Sequence, residues 1–200
     1  RKSVELWNQI CDKYDGTTYK KEDWNFFKHR PQNFPTVRLG GGAHLIYHIL
    51  KNGIFKNLTE VFKEEKKEKE FTVILRNLII TEGRGYWASH FNFDKLSKEK
   101  LNYFIGITRA DEIIVNVLFP VLYLYFDIFN DIESTRKLKH NYINYTQHGS
   151  NRLVEQVEST LGLANSSRRS INSQAMIELF RNYCVKERCL ECRIGKKIFD

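Results

Sequence analysis

Apolar positions along this chain recur mostly three and four residues apart, the period of an amphipathic helix. Val4, Leu6, Trp7, Ile10 and Cys11 form one stripe, so residues 4–14 read as a helix that Asp15-Gly16 ends. Residues 20–28 read as a second, short helix. Then comes Arg30-Pro31-Gln32-Asn33-Phe34-Pro35, with two prolines four residues apart. Each proline holds its predecessor extended, which makes this a stiff loop. Pro35 suits the first position of the next helix, where its missing N–H costs nothing. That helix runs to about Leu50, and Asn52-Gly53 stops it.

Residues 64–70 are almost purely charged and read as a linker or a solvated surface segment. Phe71 to Ile80 reads as helix, with a strand as the alternative. Gly83-Arg84-Gly85 is a turn, and the aromatic-rich Tyr86 to Phe93 fits either state. Ala110 to Phe129 is the strongest helix. Pro120 inside it lacks a donor and leaves the Asn116 carbonyl without its usual partner, so the expected kink falls there, with the Asn116 side chain as a polar anchor. Residues 132–145, 151–161 and 170–186 complete the set, with a polar, basic loop at 165–169. The expected fold is all-α: one domain over residues 1–200, an irregular helical bundle with a Pro-kinked central helix and a Cys-rich helical tail.

Composition supports a sizeable core, with 42% apolar residues including 14 Phe and 10 Tyr. The net charge of +8 favours a polyanionic partner such as DNA or RNA; ordinary solubility charge is the alternative. The longest apolar run, Ile113 to Phe126, falls short of the ~20 residues that cross a bilayer. Asn116 and Pro120 also break it, so no membrane span is expected. The chain begins at Arg1 and reads as part of a longer protein. Three of its four cysteines crowd one end, unlike a secreted disulfide framework, so a reducing cytoplasm is the expected location.

Those three, Cys184, Cys189 and Cys192, have the spacing C-x4-C-x2-C. A C-x2-C pair brings two thiolates to one tetrahedral ion, and a third upstream fills most of the shell. Zinc or an iron–sulfur cluster is the expected occupant. Lys186, Arg188, Arg193, Lys196 and Lys197 are expected to lower the thiol pKa values. The fourth ligand would be Cys11 or one of His29, His44, His48, His90, His140 and His148. The alternative is three reduced cysteines packed at a helix end.

Three blocks carry a family resemblance. They are residues 30–39, then Ile113 to Pro120, then Ser173 to Leu179 running into Tyr183-Cys184 and Cys189 to Gly195. In order and spacing, over roughly Lys21 to Ile198, they resemble the C-terminal half of the domain-of-unknown-function family 2851. The resemblance is thin between His140 and Arg169. It implies a bacterial cytoplasmic protein. It also implies a missing N-terminal half with nuclease-like motifs, none of which occurs in this chain.

Other candidates are weaker. Arg30 and Arg38 flank the double-proline loop and suit phosphate binding; the alternative is that Arg30 and Asn33 tie the loop to the domain body. Arg168 and Arg169 lie in a basic, hydroxyl-rich loop that suits the same role. Gly40-Gly41-Gly42 is no phosphate loop and reads as close helix packing or an interruption. His44 and His48 lack the glutamate of a metalloprotease helix. No catalytic constellation emerges. The functional expectation is an accessory helical domain associated with nucleic acid through a basic surface, its tail stapled by metal. The alternative is a domain that docks on the missing N-terminal half.

Overall fold

The structure, a computed structural model, describes residues 2–24, 33–63, 68–149, 151–163 and 165–199. It is mostly helical, as the apolar periodicity requires. The order is α1 (Lys2–Ile10), α2 (Pro35–Asn52), α3 (Ile54–Lys63), α4 (Glu68–Ile79), β1 (Thr81–Glu82), α5 (Tyr86–Ser89), β2 (His90–Asn92), β3 (Lys95–Leu96), β4 (Tyr103–Ile105), α6 (Ile107–Ile113), α7 (Phe119–Ile128), α8 (Ile132–Asn144), α9 (Arg152–Thr160), α10 (Ser170–Leu179) and α11 (Arg193–Phe199). Of the short helix expected at residues 20–28, Lys21–Asp23 forms a single 3₁₀ turn, and residues 25–28 lie outside the described residues. Of the charged segment at 64–70, Glu68 to Glu70 open α4, and 64–67 are likewise outside.

Local chemistry sets the helix ends. Pro35 occupies the first turn of α2, and Gly53 closes it at φ 62°, donating to the Ile49 carbonyl. The left-handed region is open to glycine without a Cβ penalty. Asp131 caps α8 by accepting from Ser134 N, and Asn151 caps α9 by accepting from Val154 N. The glycine run of α2 permits close approach. A Cβ on Gly40 would stand 2.6 Å from the Trp87 ring, and one on Gly41 would stand 2.8 Å from Phe104 Cβ.

Two small ladders break the all-helical pattern. β1 pairs antiparallel with β4, and β2 pairs with β3 across a tight turn where Asp94 takes φ 57°. Such pairs are too short to stand alone. α2 packs against them through the glycine face just described.

Between α6 and α7 the helix widens into a π turn, Ile114–Leu118. Phe119 donates to the Ile114 carbonyl five residues back instead of four, which takes an extra residue into the turn just before Pro120. Proline is a common cause of such local distortion. Asn116 lies mid-turn. Its Nδ2 donates to the Glu112 carbonyl at 2.9 Å, and its Oδ1 accepts from Gln174 Nε2 of α10 at 3.1 Å.

The main core joins α3, α4, the α6–α7 helix and α8 through Leu58, Phe62, Leu75, Ile114, Leu122, Phe126 and Leu138. A second, smaller cluster of Val154, Val157 and Met176 joins α9 to α10. Replacing Leu122, fully buried, with Ala is expected to cost about 2–5 kcal/mol by lost transfer energy and a cavity. Leu124→Ala, on the exposed face of the same helix, should change stability by under about 0.5 kcal/mol. Urea unfolding of the two variants checks the difference.

Candidate functional site

A carboxylate this deep needs partners, because an unpaired buried charge costs several kcal/mol. Asp111, in α6, is 1% exposed and has them on both oxygens. Arg76 of α4 grips it with Nε to Oδ1 at 2.7 Å and Nη2 to Oδ2 at 3.1 Å. The Tyr145 hydroxyl, at the end of α8, donates to Oδ1 at 2.6 Å. The His148 backbone N–H donates to Oδ2 at 2.6 Å, and the His148 ring Nδ1 stands 3.4 Å from the same oxygen. Arg76 Nη2 also donates to the Thr146 carbonyl at 2.6 Å, and the guanidinium sits over the Tyr145 ring. Burial works against the charged Arg76, but the hydrogen bond and charge of Asp111 outweigh it and hold its pKa above the ordinary value. Burial also pushes the Tyr145 phenol far up, and its bond to the Asp111 carboxylate adds to the shift.

Beside this cluster lies a cleft of about 260 Å³ at the seam between the two cores. Thr108, Asp111, Glu112 and Asn116 line one wall, Gln147, His148, Gly149 and Asn151 the next, and Ser173, Gln174, Ile177 and Arg181 the third. Bonds cross the seam from wall to wall: Gln147 Nε2 to Ser173 Oγ at 2.8 Å, and Gln174 Nε2 to Asn116 Oδ1 at 3.1 Å. Glu112 is paired with Arg109.

The sequence candidates fall elsewhere, with the exceptions of Asn116 and the fourth-ligand candidate His148. Arg30 and His29 lie outside the described residues. Arg38 is exposed and donates to Asn33 Oδ1 at 3.1 Å, a local link across the start of α2. Arg168 and Arg169 are exposed. Their backbone meets the cleft segment: the Arg168 carbonyl accepts from Gln147 N, and Arg169 bridges to Thr146.

All four cysteines are free; Cys184 and Cys189 are exposed and Cys192 is buried. Gly195 lets α11 close over the cysteine turn, since a Cβ there would meet the Cys189 carbonyl at 2.2 Å. Among the described residues, no group of three or more His, Cys, Asp or Glu side chains is gathered tightly enough to hold a metal ion. The expected lowering of the thiol pKa values is overturned at Cys184. Burial raises it, and the neighbouring Cys192 and Cys189 add to the rise. One of the expected cationic neighbours is engaged elsewhere: Arg188 forks onto Glu191, with Nε to Oε1 at 3.0 Å. That pairing raises the Arg188 pKa and lowers that of Glu191.

The remaining fourth-ligand candidates have local partners. Cys11 Sγ faces the Asn8 carbonyl of its own turn at 3.6 Å. His44 stacks on Phe104, and His90 stacks on Tyr86. His48 meets the Tyr47 ring, and His140 Nε2 meets Asn144 Nδ2. His148 lines the cleft, already described.

Sequence reading passed over Arg76, Asp111, Tyr145, Gln147, Gln174 and Arg181. A usable signal existed for one of them, since Arg76 is the only charge in the apolar run Phe71 to Ile80, where a charge stays only if it is paired; Asp111, flanked by Arg109 and Glu112, carries no such mark.

The fold and the cleft define a mostly helical protein with a polar cleft set over a buried ion pair. A family model described as "Protein of unknown function (DUF2851)" matches residues 2–152, and the chain belongs to that family. The matched residues include the first two blocks of the resemblance and two walls of the cleft; the third block, with α10 and the three clustered cysteines, lies beyond them. No curated protein and no solved structure matches the chain. Among the described residues, no helix is long and apolar enough to cross a membrane.

Two expected outcomes test the ion pair. Arg76→Ala or Asp111→Ala should each cost about 3–5 kcal/mol, because the partner is left charged and buried, whereas Arg76→Met with Asp111→Leu should recover much of that loss. Chemical denaturation of the three variants measures it. The raised Tyr145 pKa works in the alkaline range. Its contribution is fully present below the unfolded phenol value of about 10 and is lost as pH rises beyond it. The stability gap between wild type and Tyr145→Phe should therefore be constant to about pH 10 and narrow above it, as read from unfolding curves across pH.

Proposed function

We propose that the protein is a nucleic-acid-associated helical module that holds phosphates on a basic surface built around α10. The observation that carries this is the placement of charge. Arg168 and Arg169 stand exposed just before α10. Arg181 lies in the π turn (Phe180–Cys184) that extends it, and exposed Lys186, Arg193, Lys196 and Lys197 follow in the tail. From Ser170 to Cys184 this run is about 22 Å long, enough to meet several phosphates along a strand. The overall charge of +8 supports the same reading. In it, Cys184, Cys189 and Cys192 staple the tail through zinc or an iron–sulfur cluster, a role supported by their spacing. Metal analysis of anaerobically purified protein tests the staple, and protein free of zinc and iron removes it.

Affinity for single- and double-stranded oligonucleotides should fall linearly on a log–log plot against salt. Arg168→Glu with Arg169→Glu should weaken binding for every sequence and flatten that slope by about one unit per lost contact. Absence of binding at low salt would overturn the proposal.

One observation favours a second reading, a module that docks on a further region of the same protein. Val117, Val121, Leu124 and Ile128 run along one face of the central helix at spacings of four, three and four, and are 40–63% exposed. That is the seam one helix offers another. Leu124→Glu with Ile128→Lys in the full-length protein should open new sites to limited proteolysis; an unchanged digest would remove this reading.

A further inference from the structure

The cleft beside Asp111 has a charge balance that points to a ligand. Two carboxylates line it, and both are matched: Asp111 by Arg76, and Glu112 by Arg109. One lining guanidinium is not. Arg181 is exposed and has no ion-pair partner among the described residues. Apart from Ile177 and Gly149, the rest of the lining is amide, hydroxyl and imidazole, chiefly from Asn116, Gln147, Gln174, Thr108, Ser173 and His148. A recess with one unmatched positive charge and neutral hydrogen-bonding groups suits an anion carried on a polar molecule.

Two further features agree. The capped N-terminus of α9 opens onto the cleft through Asn151, and the end of a helix dipole adds positive potential there. The His148 ring is also held in place. With Nδ1 beside Asp111 Oδ2, its Nε2 lies on the side of the ring away from the carboxylate. The wall carrying these groups is fixed by backbone. His148 N–H is bound to Asp111, and Gly149, at φ 90°, passes so close to α6 that a Cβ would stand 2.9 Å from Thr108 Cγ2. The walls are thus fixed by tertiary bonds within the protein itself, as those of pre-formed sites are.

We propose that this cleft is a binding site for a phosphate group on a polar molecule, with Arg181 as its main charged contact and the amides of Asn116, Gln147 and Gln174 reading the group attached to the phosphate. A volume of about 260 Å³ exceeds a bare phosphate and leaves room for that attachment. The cleft shares Arg181 with the basic run along α10 but is not lined by Arg168 or Arg169, so substitutions at Arg169 and at Arg181 tell the two apart.

The test is an amide NMR titration of the chain with inorganic phosphate, with a nucleoside monophosphate and with a short oligonucleotide. The expected result is saturable shifts centred on Thr108, Gly149, Asn151 and Gln174. Arg181→Ala should weaken binding by about tenfold or more, the scale of one lost charge-assisted hydrogen bond, while Arg169→Ala leaves it unchanged. Gln174→Glu, which adds a negative charge at the same place, should weaken it as well. Saturation with the small phosphates alone assigns the site to a free phosphorylated molecule, and saturation with the oligonucleotide at the same amides assigns it to backbone phosphate. Shifts that do not saturate, or that Arg181→Ala and Arg169→Ala reduce equally, would overturn the site.

Discussion

The carboxylate of Asp111 is the point through which the separate parts of this protein are joined. It is buried, it is charged, and four hydrogen bonds from three places in the chain converge on it. Arg76 brings α4, Tyr145 brings the end of α8, and the His148 amide brings the loop into α9. Removing any one leaves the others facing a charge in a medium that solvates it poorly. An apolar core tolerates approximate placement of its side chains. A buried ion pair with a fork geometry tolerates much less, so it fixes how α4, α6 and the 145–149 segment sit against one another.

The cleft follows from that constraint. Two hydrophobic clusters, one around Leu122 and Phe126 and one around Val154 and Met176, meet along a seam that neither fills. The seam is held by polar bonds, Asn116 to Gln174 and Gln147 to Ser173, and the space they leave is the recess. The π turn before Pro120 contributes by presenting Asn116 to α10. Widened turns of this kind place side chains where a regular helix would not, which is one reason they recur at functional sites.

The tail shows how tertiary context reverses a sequence argument. Counting lysines and arginines around the cysteines suggests lowered thiol pKa values. In the fold, Arg188 is paired with Glu191, and the exposed Cys184 is shifted chiefly by partial desolvation of its thiol, with Cys192 and Cys189 adding to it, which favours the neutral form. Charge near in sequence acts on a thiol only if it is near in space and unengaged. The same distinction separates Arg38, linked locally to Asn33, from Arg181, which lines the cleft with no ion-pair partner among the described residues.

By itself the sequence determined most of the helical architecture. Apolar period gives α1, α2, α4, the long helix around Pro120, and α8 to α10; Pro35, Gly53, Asp131 and Asn151 mark where several of them start and stop. These are local properties, written within one or two turns of chain. It also placed Asn116 at a distortion, because the effect of proline reaches only four or five residues. The short ladders were not legible, since two- and three-residue strands carry no period of their own and form only where α2 covers them. Nor was the cleft. Arg76 and Asp111 are 35 residues apart, and Asp111 and Tyr145 are 34 apart. Nothing local says which distant polar groups will meet; that is decided when helices pack and each buried charge must find its partners within hydrogen-bonding distance.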